Sequence, residues 1–244
     1  MAHLYFTADA IDASTSLVTL TGDEAHHAAQ VARLREGESV DISDGRGWRA
    51  AGVARSVSKS LVEVAVSTPV FEPERAVQFT LVQALAKGDR DEMAVQASTE
   101  LGVSRVVPWQ SERSISRWEG DKRAKGVSRW QAIAREAAKQ SVRSRIPVVT
   151  EPVATSGIVP AANGAHVLVL DPRSTLGIGE WAQANSTATA IALVVGPEGG
   201  ITDAEVETLV TAGATAVRVG DDIMRTSTAG PAAIAALNAL LGQW

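Results

Sequence analysis

The chain has 244 residues, 45% of them apolar, which is enough to bury a sizeable core in one large or two small domains. It has no run of about eighteen apolar residues of the kind that spans a bilayer, and its opening Met1–Asp9 lacks the basic and long apolar regions of a secretory leader, so a cytoplasmic protein without a membrane partner is expected. The absence of cysteine excludes disulfides, thiolate catalysis and cysteine-bound metal, and the four histidines (His3, His26, His27, His166) lack ligand spacing, so no metal site is expected.

The first 70 residues read mainly as short strands, at 3–8, 16–20, 39–43, 48–57 and 61–67, with one helix over 24–34. Val62, Val64 and Val66 alternate with polar or small neighbours, and Asp44-Gly45-Arg46-Gly47 signals a hairpin turn, which together predict a small β-barrel. Pro69 and Phe71-Glu72-Pro73-Glu74 mark a linker, because proline lacks the ladder donor and biases the preceding residue towards extended backbone. The expected division is therefore a domain over 1–72 and a second over 73–244.

From Val77 onward strands alternate with helices. Strands are expected at 77–85, 105–109, 165–170, 189–195 and 215–219, and helices at 89–102, 121–142, 178–184, 202–212 and 226–241. Such alternation predicts an α/β domain with a mostly parallel sheet covered on both faces, whose ligands sit beyond the carboxyl ends of its strands. The segments Asp171-Pro172, Gly196–Gly200 and Gly220–Thr226 all follow such ends.

Charge is distributed unevenly. The formal net charge is −5, yet residues 105–145 hold eleven basic residues against four acidic ones, a local +7 that leaves −12 for the rest. This segment is expected to hold RNA phosphate, with Arg113, Arg123, Arg129 and Arg143 as named contacts. The interspersed Trp109, Trp118 and Trp130 are expected to pack in the core rather than stack on bases.

The densest signal is Leu193-Val194-Val195-Gly196-Pro197-Glu198-Gly199-Gly200-Ile201-Thr202-Asp203-Ala204-Glu205. It joins a buried strand to a glycine-bracketed turn stiffened by Pro197, and Thr202 with Glu205 forms a capping box that starts the next helix. Gly177-Ile178-Gly179 imitates a dinucleotide fingerprint, but six residues separate it from the preceding strand and no acidic residue stands at the end of the next one. Phosphate-loop, nucleophile-elbow and zinc-helix motifs are absent.

Gly196-Pro197-Glu198-Gly199-Gly200 followed by Val219-Gly220-Asp221-Asp222-Ile223-Met224-Arg225-Thr226-Ser227-Thr228-Ala229 resembles the paired cofactor loops of the ribosomal RNA small-subunit methyltransferase E family. Ala86–Arg90, Gln96–Val103, Pro108 and Ser111–Ser114 match it in register further upstream. The resemblance implies a SPOUT-type α/β trefoil-knot methyltransferase domain behind an N-terminal PUA-like β-barrel. It further implies a homodimer that uses S-adenosylmethionine to methylate N3 of a uridine of 16S rRNA, expected to be uridine 1498, during small-subunit maturation.

Carried over onto this chain, the resemblance places the cofactor against Leu170, Asp171, Pro172, Gly196, Pro197, Glu198, Gly199, Gly200, Val219, Gly220, Ile223, Met224, Arg225 and Thr228. Uracil N3 is a poor nucleophile while protonated, so transfer requires deprotonation or stabilisation of the uracil anion, and Arg225 is the first candidate, either on a uracil oxygen or on an RNA phosphate. Glu198 is the candidate carboxylate, as base, as counter-charge to the cofactor or as a hydrogen-bond partner within the turn, and Thr226, Ser227 and Thr228 are expected to cap the last helix. Three positions depart from the family pattern: Asp222 stands in place of an arginine, Ser227 in place of a glutamate, and Lys139 in place of an acidic residue. These departures keep a second reading open, an RNA-binding or ribosome-assembly protein on the same scaffold without catalysis.

Overall fold

The computed structural model describes residues 3–244, which divide into two compact units. One unit runs through Glu74 and takes in Ala138–Ile146; the other comprises Arg75–Ala137 and Pro147–Trp244.

The first unit is built on a five-stranded mixed sheet of β1 (Leu4–Phe6), β2 (Leu17–Thr21), β3 (Ser39–Ser43), β4 (Trp48–Val57) and β5 (Leu61–Phe71) in the order β1-β3-β4-β5-β2. Only β1 and β3 run parallel; the other pairs are antiparallel. Alternation places Val62, Val64 and Val66 of β5 inside with Val18, Leu20, Val40 and Ile42, and α1 (Gly22–His26) adds Ala25 before the chain relaxes into a π-helical turn over His27–Val31. The expected linker begins too early. β5 continues to Phe71, because its pairing with β4 shifts register between Ser67↔Ala51 and Val70↔Arg49. Thr68 takes φ +47° in this bulge, and Pro69 sits where no ladder donor is needed.

The second unit carries a six-stranded, wholly parallel sheet. Its strands are β6 (Gln78–Ala84), β7 (Arg105–Trp109), β8 (Val148–Val149), β9 (His166–Leu170), β10 (Ala190–Val195) and β11 (Thr215–Val217), in the order β11-β9-β10-β6-β7-β8. The helices are α2 (Arg90–Glu100), α3 (Asp121–Gln140, its last three residues counted with the first unit), α4 (Ile158–Ala161), α5 (Ile178–Ala184), α6 (Asp203–Thr211) and α7 (Thr226–Leu240). The two-residue β8, the 3-10 turn at Thr155–Gly157 and α4 were not expected; each is too short for a periodic pattern to show.

Strand alternation separates two cores. Phe79, Leu81, Leu168, Leu170, Ile191, Leu193 and Val195 face the side covered by α2, α3, α5 and α7, whereas Val82, Ala84, Val167, Val169, Ala192 and Val194 face α4 and α6. Burying one such leucine or isoleucine contributes about 1.5–3 kcal/mol. Trp130, Ala134, Ala137 and Ala138 form the buried stripe of α3. Trp109 and Trp130 are buried, and Trp118 meets Trp130 edge-on at 5.0 Å, so the tryptophans pack as expected. Among the described residues, no helix is long and apolar enough to cross a membrane.

Candidate functional site

Because β11, β9 and β10 are adjacent and parallel, the loops that leave their carboxyl ends converge. Loop 171–177 is stitched to loop 218–225 by backbone bonds from Arg218 to Leu176 and from Ile178 to Arg218, each 2.8 Å, and by Ser174 Oγ donating to the Ala216 carbonyl at 2.9 Å. In loop 196–202 the Gly200 amide donates to the Pro197 carbonyl at 2.9 Å, closing a turn in which Gly200 takes φ +74°. A side chain at Gly196 would begin 2.6 Å from Ile201 Cγ1, so the sharp exit from β10 requires glycine there. The capping box forms as expected: Thr202 Oγ1 accepts from the Glu205 amide and Glu205 Oε2 accepts from the Thr202 amide.

These loops enclose a cavity of about 620 Å³, within the ordinary range for small-molecule sites. Thirteen of the fourteen expected cofactor residues line it: Leu170, Asp171 and Pro172 on one loop, Gly196 to Gly200 on the second, and Val219, Gly220, Ile223, Met224 and Arg225 on the third. Thr228 lies outside the lining and is exposed, since two residues of helix turn it away from the wall that Thr226 forms. The helix-capping expectation is also corrected. Arg225 is the N-cap and no side chain caps α7; the Thr226 hydroxyl instead donates to the Gly196 carbonyl at 2.7 Å.

The floor is apolar, with Val195, Ile201 and Ala229 joining Leu170, Val219 and Met224. The rim is rich in arginine. Arg90, Arg173 and Arg218 were not anticipated as lining residues, although Arg90 ends one of the matching segments and Arg173 lies two residues past Asp171. Most rim charges are tethered. Glu198 Oε1 accepts from Arg90 Nη1 and from the Lys87 amide, both at 3.1 Å, and Arg218 pairs with Asp221 at 2.9 Å. Arg173 binds both Asp171 oxygens at 2.9 Å and also Asp203. Burial pushes the Asp171 carboxyl up, but the side-chain bonds, the backbone amide and the charge of Arg173 outweigh it and hold the group below the usual carboxylate range. Hydrogen bonds to Asp171 and Asp203 raise Arg173 in turn.

The four expected phosphate contacts separate. Arg113 joins the cavity, its Nη1 donating to the Gly199 carbonyl at 2.9 Å. Arg123 pairs with Glu151 at 2.7 Å, and Arg129 donates to Glu92 at 2.8 Å with Asp89 at 3.7 Å. Arg143 lies in the 138–146 segment of the first unit, its amide bonded to the Ala138 carbonyl. Much of the linear charge excess is thus met by carboxylates from elsewhere in the chain. Lys139, the basic departure, pairs with Glu24 at 2.8 Å inside the first unit, where both side chains are only 12% exposed. Among the described residues no group of acidic, histidine or cysteine side chains could hold a metal ion.

Residues 73–238 match the profile of the RNA methyltransferase domain and residues 20–66 that of the RNA methyltransferase PUA domain. The ribosomal RNA small subunit methyltransferase E of Mycobacterium bovis is 38% identical over 249 aligned residues, covering 100% of this chain and 94% of the relative. That of Bacillus subtilis is 31% identical, covering 90% and 89%. Among solved structures, the ribosomal RNA small subunit methyltransferase E of Neisseria gonorrhoeae bound to S-adenosylmethionine superposes with a TM-score of 0.89 at 29% identity, covering 98% of both chains. A Legionella pneumophila methyltransferase, also in complex with S-adenosylmethionine, superposes with a TM-score of 0.87 at 26% identity over 98% of both.

Proposed function

The chain belongs to the ribosomal RNA small subunit methyltransferase E family, and from that premise we propose that it binds S-adenosylmethionine in the cavity at the ends of β9, β10 and β11 and methylates N3 of uridine 1498 in 16S rRNA. The observation that carries this reading is the cavity itself. Three adjacent strand ends present backbone from the two glycine loops, an apolar floor for an adenosine, and the Asp222 carboxylate at the rim to face a ligand with a sulfonium and an ammonium group. We further propose a cytoplasmic homodimer acting on the small ribosomal subunit or its RNA.

When bound, S-adenosylmethionine supplies an electrophilic methyl group. The residues of this chain provide the rest. Loop 196–200 and loop 218–225 hold the donor by backbone and apolar contact. Arg225, at the cavity wall and with a side chain exposed towards solvent, hydrogen-bonds a uracil oxygen and stabilises the negative charge that grows on the base as N3 loses its proton to solvent. Glu198 braces the turn through Arg90 and the Lys87 amide, and its charge offsets the cationic donor. Arg113, Arg123 and Arg129 of the second unit, and separately Arg143 of the first, hold RNA phosphate. The reading without catalysis is disfavoured because Asp222 and Ser227, the departures in the second loop, leave Arg225 and the glycine turn in place.

The test is transfer of an isotopically labelled methyl group from S-adenosylmethionine to small subunits or 16S rRNA, with the product mapped by mass spectrometry. The expected product is 3-methyluridine at position 1498. Cofactor binding without label transfer would leave a binding protein, and label at another nucleotide would overturn the assigned target.

A further inference from the structure

The end of β6 carries a glutamine where a parallel strand covered on both faces ordinarily carries an apolar residue. Gln83 is completely buried. Its Nε2 donates to Thr226 Oγ1 at 2.8 Å and to the Ala84 carbonyl at 3.2 Å, while its Oε1 has no hydrogen-bond partner. Thr226, also buried, passes the connection on by donating its hydroxyl proton to the Gly196 carbonyl at 2.7 Å. A threonine hydroxyl has a single proton. With that proton on Gly196, the oxygen is left to accept from Gln83, which fixes the orientation of the amide. The unpartnered Oε1 carries a desolvation cost that a leucine at this position would avoid. The donor is what the site gains for that cost.

The three residues stand on three different segments: Gln83 at the end of β6, Gly196 at the first position of the 196–202 loop, and Thr226 at the first position of α7, where the 218–225 loop ends. Packing holds the same segments tightly. A side chain at Gly230, about one turn into α7, would begin 2.7 Å from Leu81 Cδ1 and 3.3 Å from Val195 Cγ2. The first turns of α7 thus lie close against β6 and the end of β10, and the polar relay links the helix start to the exit from β10.

We propose that Gln83 and Thr226 form a latch that sets the spacing of the two cofactor loops, with Gln83 a positioning residue that lies behind the cavity wall and acts on it through Thr226. The inference rests on the S-adenosylmethionine reading for its consequence: the latch preorganises the cavity before the ligand arrives and fixes the main chain from which Arg225 projects.

Thr226→Val keeps the shape and removes the hydroxyl, Thr226→Ser keeps the hydroxyl, and Gln83→Met removes the amide. Calorimetry with S-adenosylmethionine should show affinity reduced about tenfold in Thr226→Val, about threefold in Gln83→Met, and largely recovered in Thr226→Ser. The double variant Gln83→Met/Thr226→Val should bind no more weakly than Thr226→Val alone, because Gln83 reaches Gly196 only through the hydroxyl. In ligand-free protein, hydrogen exchange across residues 196–201 should be faster in Thr226→Val and near wild type in Thr226→Ser. Additive losses in the double variant, or unchanged exchange in Thr226→Val, would overturn the latch. If the wild type gives no heat with S-adenosylmethionine, the cofactor reading falls and the exchange measurement still decides the latch. Should Thr226→Val not fold, Gln83→Met compared with Thr226→Ser serves instead, and equal exchange in those two rejects the proposal.

Discussion

Arg113 donates a hydrogen bond from Nη1 to the carbonyl of Gly199 at 2.9 Å, and a side chain at Gly199 would begin 3.2 Å from Arg113 Cβ. A cation that charge patterning assigns to the RNA backbone therefore also braces the 196–200 turn. Arg113→Ala should weaken S-adenosylmethionine binding several-fold, in line with loss of one charge-assisted bond of about 1.5–3 kcal/mol discounted for exposure. Calorimetry in the absence of RNA checks this; unchanged affinity would leave Arg113 with RNA alone.

Arg225 forms the cavity wall where the 218–225 loop meets α7. Arg225→Ala should lower the single-turnover rate at saturating cofactor and RNA by about 10²–10³, the usual effect of removing one preorganised donor, while S-adenosylmethionine affinity changes little. Saturation separates chemistry from binding. A normal saturated rate with lost RNA affinity would make Arg225 a phosphate clamp.

Arg123 and Arg129 are held by Glu151 and Glu92. Two unpaired cations on phosphate would contribute a salt slope of roughly two units. Since these two exchange a carboxylate for a phosphate, Arg123→Ala with Arg129→Ala should flatten the slope by about one unit instead. RNA-binding titrations across salt concentrations measure it, and no change would remove both residues from the interface.

Asp171 titrates below its ordinary value because Arg173 outweighs the effect of burial. Its stabilising contribution is complete above the unfolded carboxylate value of about 3.9 and is lost as pH falls through the lower folded value. Asp171→Asn should unfold at a lower temperature than wild type by a constant margin from about pH 5 to about pH 8, with the margin closing below about pH 4. Thermal unfolding across pH tests this, and a margin that widened in acid would contradict the Arg173 pairing.

Strand and helix placement was largely legible in the sequence. Val62, Val64 and Val66 carry a period-two signal, and Thr202 with Glu205 announces its capping box because the two partners are three residues apart. Each of these depends on neighbours in the chain, so local order suffices to show them. The glycine turn at Gly196–Gly200 was legible for the same reason.

The remaining features depend on residues far apart in sequence, and only the tertiary structure decided them. The +7 segment read as one basic face, yet Arg123, Arg129 and Lys139 meet carboxylates 28, 37 and 115 residues away. Thr226 read as a helix cap, but a partner 30 residues distant takes its hydroxyl, and Gln83, 143 residues before Thr226, gave no sign of involvement. Hydrophobic period and turn chemistry are imposed by the backbone over a few residues. Which charges cancel and which hydroxyl reaches which carbonyl is settled by strand order, since adjacency in a parallel sheet brings together loops that the chain itself keeps apart.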